Sequence, residues 1–318
     1  MARAGLHGLG GIQAFRTLTR DAVRILMYHN FPRDAAVLRA QCEHLVRYYR
    51  PVAMKQVAAA LHGGEPLPAR AVAITVDDGY RDFLLYAHPV LREFGIPATV
   101  FLVSDFIDGR SMLWWDRLAY AFRETTRDKV AFAVNGARRT IEIDRRRPLE
   151  QSRLIVGELK KLPNAERTKT IDEVIEALAV TEPHTPPEEF APLSWNEIRL
   201  LAKSNVEFGA HTRTHPILSS LASREETQQE IGYSRDRLAA ELGSPFLHFC
   251  YPNGRDDDIG DDAIRVTREC GFQTAVTTMP GANRISRHTD PWRLKRLGVS
   301  FDLPLYYFAE LLAGVVSS

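Results

Sequence analysis

The stretch Ala71-Val72-Ala73-Ile74-Thr75-Val76-Asp77-Asp78-Gly79 is a nearly continuous apolar run that stops at two carboxylates and a glycine. Such a run is typical of a parallel strand that is covered on both faces. Strands and helices alternate along the chain on both sides of it, which favours a parallel sheet, and the number of strands favours a barrel over an open sheet. The predicted strands cover residues 23–28, 71–76, 98–103, 206–210, 246–251 and 274–277. The predicted helices cover residues 36–49, 82–94, 195–203, 224–242 and 263–270.

One long segment interrupts this alternation. From about residue 114 to residue 187 the sequence is charged and helical in character, and it contains an arginine run at 145–147 and a proline cluster at 184–187. The arginine run is expected to be a solvated face. We predict a mainly helical insertion at about 114–187 in a single α/β domain at 23–318, with residues 1–22 as an N-terminal lead-in.

Composition and charge narrow the function classes. The 318 residues are 45% apolar and 25% charged, and the formal net charge of +1 provides no overall field to attract nucleic acid, which is therefore not expected as a partner. The three cysteines, Cys42, Cys250 and Cys270, form no CxxC pair, so neither disulfides nor a structural zinc site are expected. No signal-peptide pattern and no apolar run of roughly 18 residues is present, which predicts a cytoplasmic protein.

The C-terminal segment at 306–316 is apolar but too short to cross a bilayer. Two interpretations remain open at this point. The segment either packs over one end of the barrel or makes peripheral contact with a membrane as an interfacial helix.

Three polar clusters follow predicted strands, and in parallel α/β folds the ligand site lies at the carboxyl ends of the strands. The clusters are Asp77-Asp78-Gly79, His211-Thr212-Arg213-Thr214-His215 and Tyr251-Pro252-Asn253-Gly254. Histidines four apart on a helical turn would present both imidazoles to one ion, and a carboxylate would complete the set. Two histidines and one carboxylate with open coordination positions form a catalytic zinc-type centre, whereas a buried carboxylate pair without a cation would be costly.

At this point the residues resemble a known family. Thr75-Val76-Asp77-Asp78-Gly79 resembles the T-F-D-D-G motif, and the segment from His211 to His215 resembles the H-[ST]-x-x-H motif, of the polysaccharide deacetylases (carbohydrate esterase family 4, with the chitooligosaccharide deacetylase homology domain). The resemblance covers about residues 23–112 and 191–300. It implies a distorted (β/α)7-type barrel.

The resemblance also implies roles for individual residues. Asp78, His211 and His215 would hold a divalent metal ion, most commonly Zn²⁺, and Asp77 would be the general base. In the implied reaction Asp77 takes a proton from the attacking water, and the backbone N–H of Tyr251 helps to hold the oxyanion. On the substrate side we expect Tyr251, Asn253 and Trp115, although Trp115 could equally pack under the insertion.

This sequence departs from two motifs of the family. The third motif, R-x-P-[FYW], reads Cys250-Tyr251-Pro252-Asn253, which is more similar to the Y-P-x-G branch that includes poly-N-acetylglucosamine deacetylases. We therefore expect Arg296 to orient Asp77 from elsewhere in the chain. The Leu-x-His motif that supplies the usual general acid is also missing. The candidates are His29 and His288, and His29 ranks first because it ends a core strand.

The function that these residues imply is metal-dependent removal of an N-acetyl group from an amino sugar of a glycan or glycolipid precursor. Three alternatives were weighed. The first is hydrolysis of another C–N bond, such as a formamide or cyclic imide, at the same centre. The second is a catalytically silent glycan-binding protein, which the intact Asp77 argues against. The third is a purely structural role, with capping carboxylates at a strand-to-helix turn.

Overall fold

The barrel consists of seven parallel strands in the order of the chain. The computed structural model describes residues 9–134, 136–243 and 247–316. Each barrel strand pairs with the next one along the chain, and the last pairs with the first, so that the sheet closes. The predicted α/β barrel is confirmed. We label the barrel strands β1 (Ala22–Tyr28), β2 (Ala71–Val76), β3 (Ala98–Leu102), β4 (Val206–Ala210), β5 (His248–Cys250), β6 (Thr274–Pro280) and β7 (Leu294–Gly298).

The barrel is distorted where its ladders are short. Strands β4 and β5 share a single paired position, and the register between β6 and β7 shifts between Leu294 and Arg296. Two short strands extend the sheet outside the barrel: Arg50–Pro51 runs parallel to β2, and Asn283–Arg284 runs antiparallel to β1.

Helices surround the barrel, and several begin where the sequence supplies a cap. Ser194 and Glu197 form a reciprocal capping box before one helix, and Ser223 accepts a hydrogen bond from the Glu226 N–H at the start of another. The α-helices outside the insertion are Leu9–Leu18, Ala36–Tyr48, Met54–Leu61, His88–Glu93, Ser104–Ile107, Trp195–Leu201, Arg224–Leu242, Asp256–Glu269 and Leu305–Ala313. Shorter helical turns are the π-helical Phe83–Ala87 and the 3₁₀ turns Glu188–Phe190 and Leu218–Ser220.

The structure departs from the sequence-based boundaries in a few places. Strand β7 was not predicted, because Lys295 and Arg296 interrupt its apolar pattern. The helix predicted at 263–270 begins earlier, at Asp256, and bends at Gly260, whose backbone is not helical. The strand predicted at 246–251 is observed at His248–Cys250, and its predicted first residue, Phe246, lies outside the described residues.

The insertion has an apolar cluster of its own, separate from the clusters of the barrel. Its helices are Trp114–Glu124, Pro148–Leu159 and Asn164–Ala177. It also contains an antiparallel hairpin of Lys129–Val134 and Ala137–Glu142, which the sequence reading did not predict. The division of the chain into lead-in, barrel and insertion stays a prediction.

The C-terminal helix Leu305–Ala313 packs against the helices Leu9–Leu18 and Ala36–Tyr48. Its residues Phe308, Leu311 and Leu312 are buried, and the Arg24 Nε–H donates to the Leu312 carbonyl at 2.7 Å. Packing on the barrel therefore accounts for most of this apolar segment. Among the helices of the described residues, none combines the length and the apolar character needed to cross a bilayer. Peripheral membrane contact and a cytoplasmic location stay predictions.

A glycine in β4 allows close packing inside the barrel. A Cβ atom at Gly209 would lie 2.6 Å from the Phe101 ring and 2.8 Å from the His248 carbonyl oxygen. We expect Gly209→Ala to lower the free energy of unfolding by about 1–3 kcal/mol, because a packed core cannot absorb the added methyl group.

Gly157 is the matched control. It lies in the helix Pro148–Leu159, where an added Cβ meets nothing within 4 Å. Gly157→Ala should raise the stability by about 0.5–1 kcal/mol, because alanine favours the helix. Urea unfolding of both variants tests the pair, and equal effects would show that β4 tolerates the methyl group.

Candidate metal centre

Three barrel strands bring the polar clusters together at their carboxyl ends. Asp77 and Asp78 follow β2, His211 follows β4, and Tyr251 follows β5. The chain turns sharply after β2, because Asp78 adopts a φ of 75° that non-glycine residues rarely adopt. This strained turn points the two neighbouring carboxylates to different partners.

The segment from His211 to His215 is a loop and not the helical turn that the four-residue spacing suggested. Thr212 and His215 both have a positive φ, which excludes a right-handed helix. The loop is held by hydrogen bonds: the Thr212 Oγ1 accepts from the His215 N–H at 3.0 Å, and the Glu230 carboxylate accepts from the Arg213 N–H at 3.0 Å. The expectation of a helical turn was therefore wrong, although the two imidazoles still meet.

Asp78, His211 and His215 form a buried three-ligand cluster. The Nε2 atoms of both histidines lie 3.5 Å from the Asp78 Oδ1. That oxygen is buried without a hydrogen-bond partner among the described residues, as a ligand atom that faces a cation would be. A divalent cation fits this set of one carboxylate oxygen and two imidazole nitrogens.

The hydrogen bonding of the histidines suits metal ligands. The Nδ1 of His211 lies 2.7 Å from the Cys250 carbonyl, which can only accept, so the proton sits on Nδ1 and Nε2 is left free to bind a metal ion. Burial, together with the neighbouring His211, lowers the pKa of His215 to about 3. The His215 ring is therefore neutral at neutral pH, which is the form that binds metals.

Arg296 forms a bidentate ion pair with Asp77. Its two terminal nitrogens donate to the two Asp77 carboxylate oxygens at 2.7 Å each, and both residues are buried. Burial alone would raise the pKa of Asp77, but the Arg296 guanidinium holds that pKa well below its ordinary value. The Asp77 carboxylate is therefore ionised throughout the neutral range.

A second set of possible ligands, Asp77, His211 and Cys250, overlaps the first. It is less suited to a metal ion, since Arg296 already donates to both Asp77 and the Cys250 sulfur. Burial also raises the pKa of the Cys250 thiol, which disfavours the thiolate that a metal needs.

A cavity of about 870 Å³ opens above the cluster. His29 lines it with its Nε2 3.7 Å from the Asp77 Oδ2, whereas His288 is absent from its walls and lies exposed in a turn at 285–289. Asn253 lines the cavity with a buried Nδ2 that has no hydrogen-bond partner among the described residues. Trp115 also lines it, packing edge-on against the His215 ring with centroids 4.6 Å apart.

The Tyr251 backbone N–H is not free to bind an oxyanion in this structure. It donates to the Val276 carbonyl at 3.2 Å, in line with the pairing of β5 and β6. This contact argues against the oxyanion role expected from the sequence, because a donor used in the sheet is not available to substrate. Tyr251 nevertheless lines the cavity.

The sequence reading missed the pair Tyr80 and Asp116. The Tyr80 hydroxyl donates to the Asp116 Oδ2 at 2.5 Å, and the Trp115 indole N–H donates to the same hydroxyl at 3.1 Å. Burial raises the pKa of Asp116 to about 8, so that this cavity-lining carboxyl group is largely protonated at neutral pH. The dipeptide Trp115-Asp116 starts the insertion and follows no strand, so no motif marked it.

A closed seven-stranded barrel with an Asp-His-His cluster at the carboxyl ends of its strands defines a class of α/β-barrel proteins suited to hold a divalent cation. The family model for polysaccharide deacetylases matches residues 64–275, which is more than half of the chain. The chain belongs to the polysaccharide deacetylase family.

Individual relatives agree with this family. A poly-beta-1,6-N-acetyl-D-glucosamine N-deacetylase of Escherichia coli is 42% identical over 60 residues, which are 19% of this chain and 9% of that protein. The match thus spans under a tenth of the relative. Among solved structures, the Streptococcus pyogenes deacetylase PplD in complex with acetate has a TM-score of 0.60 at 17% identity, and covers 92% of this chain and 98% of its own. IcaB from Ammonifex degensii has a TM-score of 0.57 at 17% identity, with 92% and 97% covered. These two likenesses support the fold.

Removing a ligand should remove the metal. We expect wild-type protein to bind about one divalent ion per chain, and Asp78→Asn or His215→Ala to lose it, because three protein ligands are needed at such a site. Asp77→Asn should keep the ion, since Asp77 is occupied by Arg296. Each protein is dialysed first against Zn²⁺ and then against metal-free buffer, and its metal content is measured by elemental analysis. Equal metal content in Asp78→Asn and wild type would contradict the ligand set.

Breaking the buried ion pair should be costly. Arg296→Ala leaves the Asp77 charge buried without its partner, which should lower the free energy of unfolding by about 3–5 kcal/mol. Arg265→Ala removes an exposed ion pair with Asp262 and should cost about 0–1 kcal/mol. Urea unfolding at pH 7 compares the two, and a small loss in Arg296→Ala would mean that water replaces the guanidinium.

Proposed function

We propose that the protein is a metal-dependent N-deacetylase that removes the acetyl group from an amino sugar of a glycan or glycolipid precursor. The observation that carries this proposal is that two adjacent buried aspartates in one cavity have different partners. Asp78 faces the two histidines, while Asp77 is held by Arg296. Membership of the polysaccharide deacetylase family and the match to a poly-N-acetylglucosamine deacetylase support the same reaction.

We propose Zn²⁺ as the ion, because two imidazoles and one carboxylate form a ligand set that Zn²⁺ commonly takes in catalytic sites. When bound, the ion supplies Lewis acidity and an activated water. Asp77 is placed to accept a proton at its Oδ2, the carboxylate oxygen nearer to His29. Arg296 orients Asp77 and keeps it ionised.

The remaining cavity residues supply substrate contacts and the proton for the leaving amine. His29 is the better candidate for the general acid, since it lies 3.7 Å from Asp77 and faces the cavity. The Asn253 Nδ2, which has no hydrogen-bond partner within the described ranges, is available to a sugar hydroxyl or to the acetamide. The aromatic side chains of Trp115 and Tyr251 line the same cavity.

Hydrolysis of a formamide or of a cyclic imide would use the same centre. A formamide differs from an acetamide in the acyl group, whereas in a cyclic imide the cleaved C–N bond is part of a ring. A catalytically silent glycan-binding protein would not need an ionised Asp77 with the His29 imidazole 3.7 Å away. Acetate release from N-acetylglucosamine oligomers, compared with formate release from an N-formyl amino sugar, separates the reactions. Absence of turnover on every amide substrate by the Zn²⁺-loaded protein would contradict the proposed enzyme.

Loss of the proposed base and loss of a proposed metal ligand should have different effects on kcat and on metal content. We expect Asp77→Asn to lower kcat for acetate release by about 10²–10⁴, because a general base contributes on that scale, while the metal content stays at the wild-type level. Measured together, kcat and metal content distinguish a lost base from a lost ion. A variant that keeps near-native kcat would remove Asp77 from the reaction.

The general acid can be assigned with two histidine variants. His29→Gln should lower kcat by about 10²–10⁴, because the proton donor for the amine is gone. His288→Gln should leave kcat unchanged, since His288 lies in an exposed turn away from the cavity. The reverse result would make His288 the acid.

A further inference from the structure

One helix of the insertion forms a wall of the metal-site cavity. The helix Pro148–Leu159 presents a single face to the cavity, with side chains spaced three or four residues apart, as expected for one helical stripe. Lys160, directly after the helix, continues the stripe. The stripe consists of Leu149, Ser152, Arg153, Val156 and Lys160.

Most charged groups around the cavity already have a partner. The acidic groups on the barrel side are balanced by a neighbouring arginine, while Asp116 is largely protonated because burial raises its pKa. Asp78 and Asp82 are the exceptions: Asp78 faces His211 and His215, and the Asp82 Oδ2 accepts the Phe31 N–H at 2.9 Å. The pairs are Asp77 with Arg296, Glu188 with Arg33, and Glu189 with Arg123.

Arg153 and Lys160 differ from these groups. Neither forms an ion pair with any carboxylate in the described part of the chain, yet both line the cavity. Seven residues on a helix correspond to about 10 Å along its axis, so the two cations could contact one extended anionic group or two neighbouring ones. Partial desolvation lowers the pKa of Lys160; the charge of Asp258 opposes this shift, and the nearby Arg255 and Arg167 add to it.

We propose that the substrate carries a phosphate group close to its N-acyl amino sugar, and that Arg153 and Lys160 of the insertion bind this phosphate. The inference rests on the proposed deacetylase function and adds the substrate class. A neutral glycan would leave both cations without a partner, whereas phosphate oxygens accept strong charge-assisted hydrogen bonds from arginine and lysine.

The phosphate could belong to a lipid-linked or a nucleotide-linked amino sugar. Apolar side chains line the same cavity as the two cations: Leu149 and Leu85 are 46% and 39% exposed. A prenyl chain would cover these leucines, and a nucleotide would not need them. The two sources share the phosphate and are distinguished experimentally.

The test compares kcat/KM of the Zn²⁺-loaded full chain for four soluble substrates: N-acetylglucosamine, N-acetylglucosamine 1-phosphate, uridine diphosphate N-acetylglucosamine and farnesyl diphosphate N-acetylglucosamine. We expect at least one phosphate-bearing substrate to be preferred over the neutral sugar by about tenfold or more, since hydrogen bonds to charged groups are worth that much. The preference should shrink as salt is raised, because salt screens the attraction. Preference for the farnesyl or the uridine compound identifies the source.

The double variant Arg153→Gln/Lys160→Gln should reduce the preference to below about twofold, mainly through KM. Arg138→Gln/Lys161→Gln is the matched control. It removes the same charges from exposed positions of the insertion that do not line the cavity, and it should keep the wild-type preference.

Three outcomes would overturn the inference. Wild-type protein could release acetate without preferring phosphate-bearing sugars, in which case the deacetylase proposal would stand alone. Both double variants could lose the preference equally, which would indicate a general charge effect. If no substrate released acetate, the proposed function would fail, and calorimetric binding of N-acetylglucosamine 1-phosphate would decide: equal affinity in wild type and Arg153→Gln/Lys160→Gln would then exclude the phosphate site.

Discussion

The buried ion pair between Asp77 and Arg296 is the interaction on which the site depends. The Arg296 guanidinium donates to the Asp77 carboxylate, the Thr277 carbonyl and the Thr75 hydroxyl, and so links β7 to β6 and β2. A buried charge pair is tolerated only when its hydrogen bonds are nearly complete, and this one satisfies that condition. The same contacts hold the end of β2, from which Asp78 also projects.

The pair also gives two adjacent aspartates different surroundings. Both carboxylates are buried, and neighbouring buried anions would normally repel each other until one binds a proton. Arg296 stabilises the charge of Asp77, and a cation held with the two histidines would stabilise that of Asp78. In the proposed reaction, the difference between a base and a ligand would therefore be a difference in the partner cation, because the two side chains are chemically the same.

The position of the site could be predicted from the sequence, because in every parallel barrel the carboxyl ends of the strands lie at the same end. Polar residues after buried strands were expected to meet, and the clusters after β2, β4 and β5 do meet. Prediction from the sequence failed where the outcome depends on local backbone geometry or on distant packing. The positive φ of Thr212 and His215 cannot be deduced from the spacing of two histidines. The apolar pattern of β7 is interrupted by Arg296, the residue that pairs with Asp77, so the pattern does not indicate a strand. Asp116 lines the cavity only because the insertion folds over the cavity.

Cys250 occupies the position at which the family motif has arginine, and its contacts show what residue 250 does in this chain. Residue 250 holds the His211 ring through its main-chain carbonyl, which accepts a hydrogen bond from the His211 Nδ1–H. Every amino acid has this carbonyl. The Cys250 side chain is not needed for that hydrogen bond, and the small thiol leaves room for the Arg296 guanidinium, which reaches to within 3.2 Å of the sulfur. A guanidinium carried by β7 can therefore reach Asp77 past the end of β5, because the residue at that end is small.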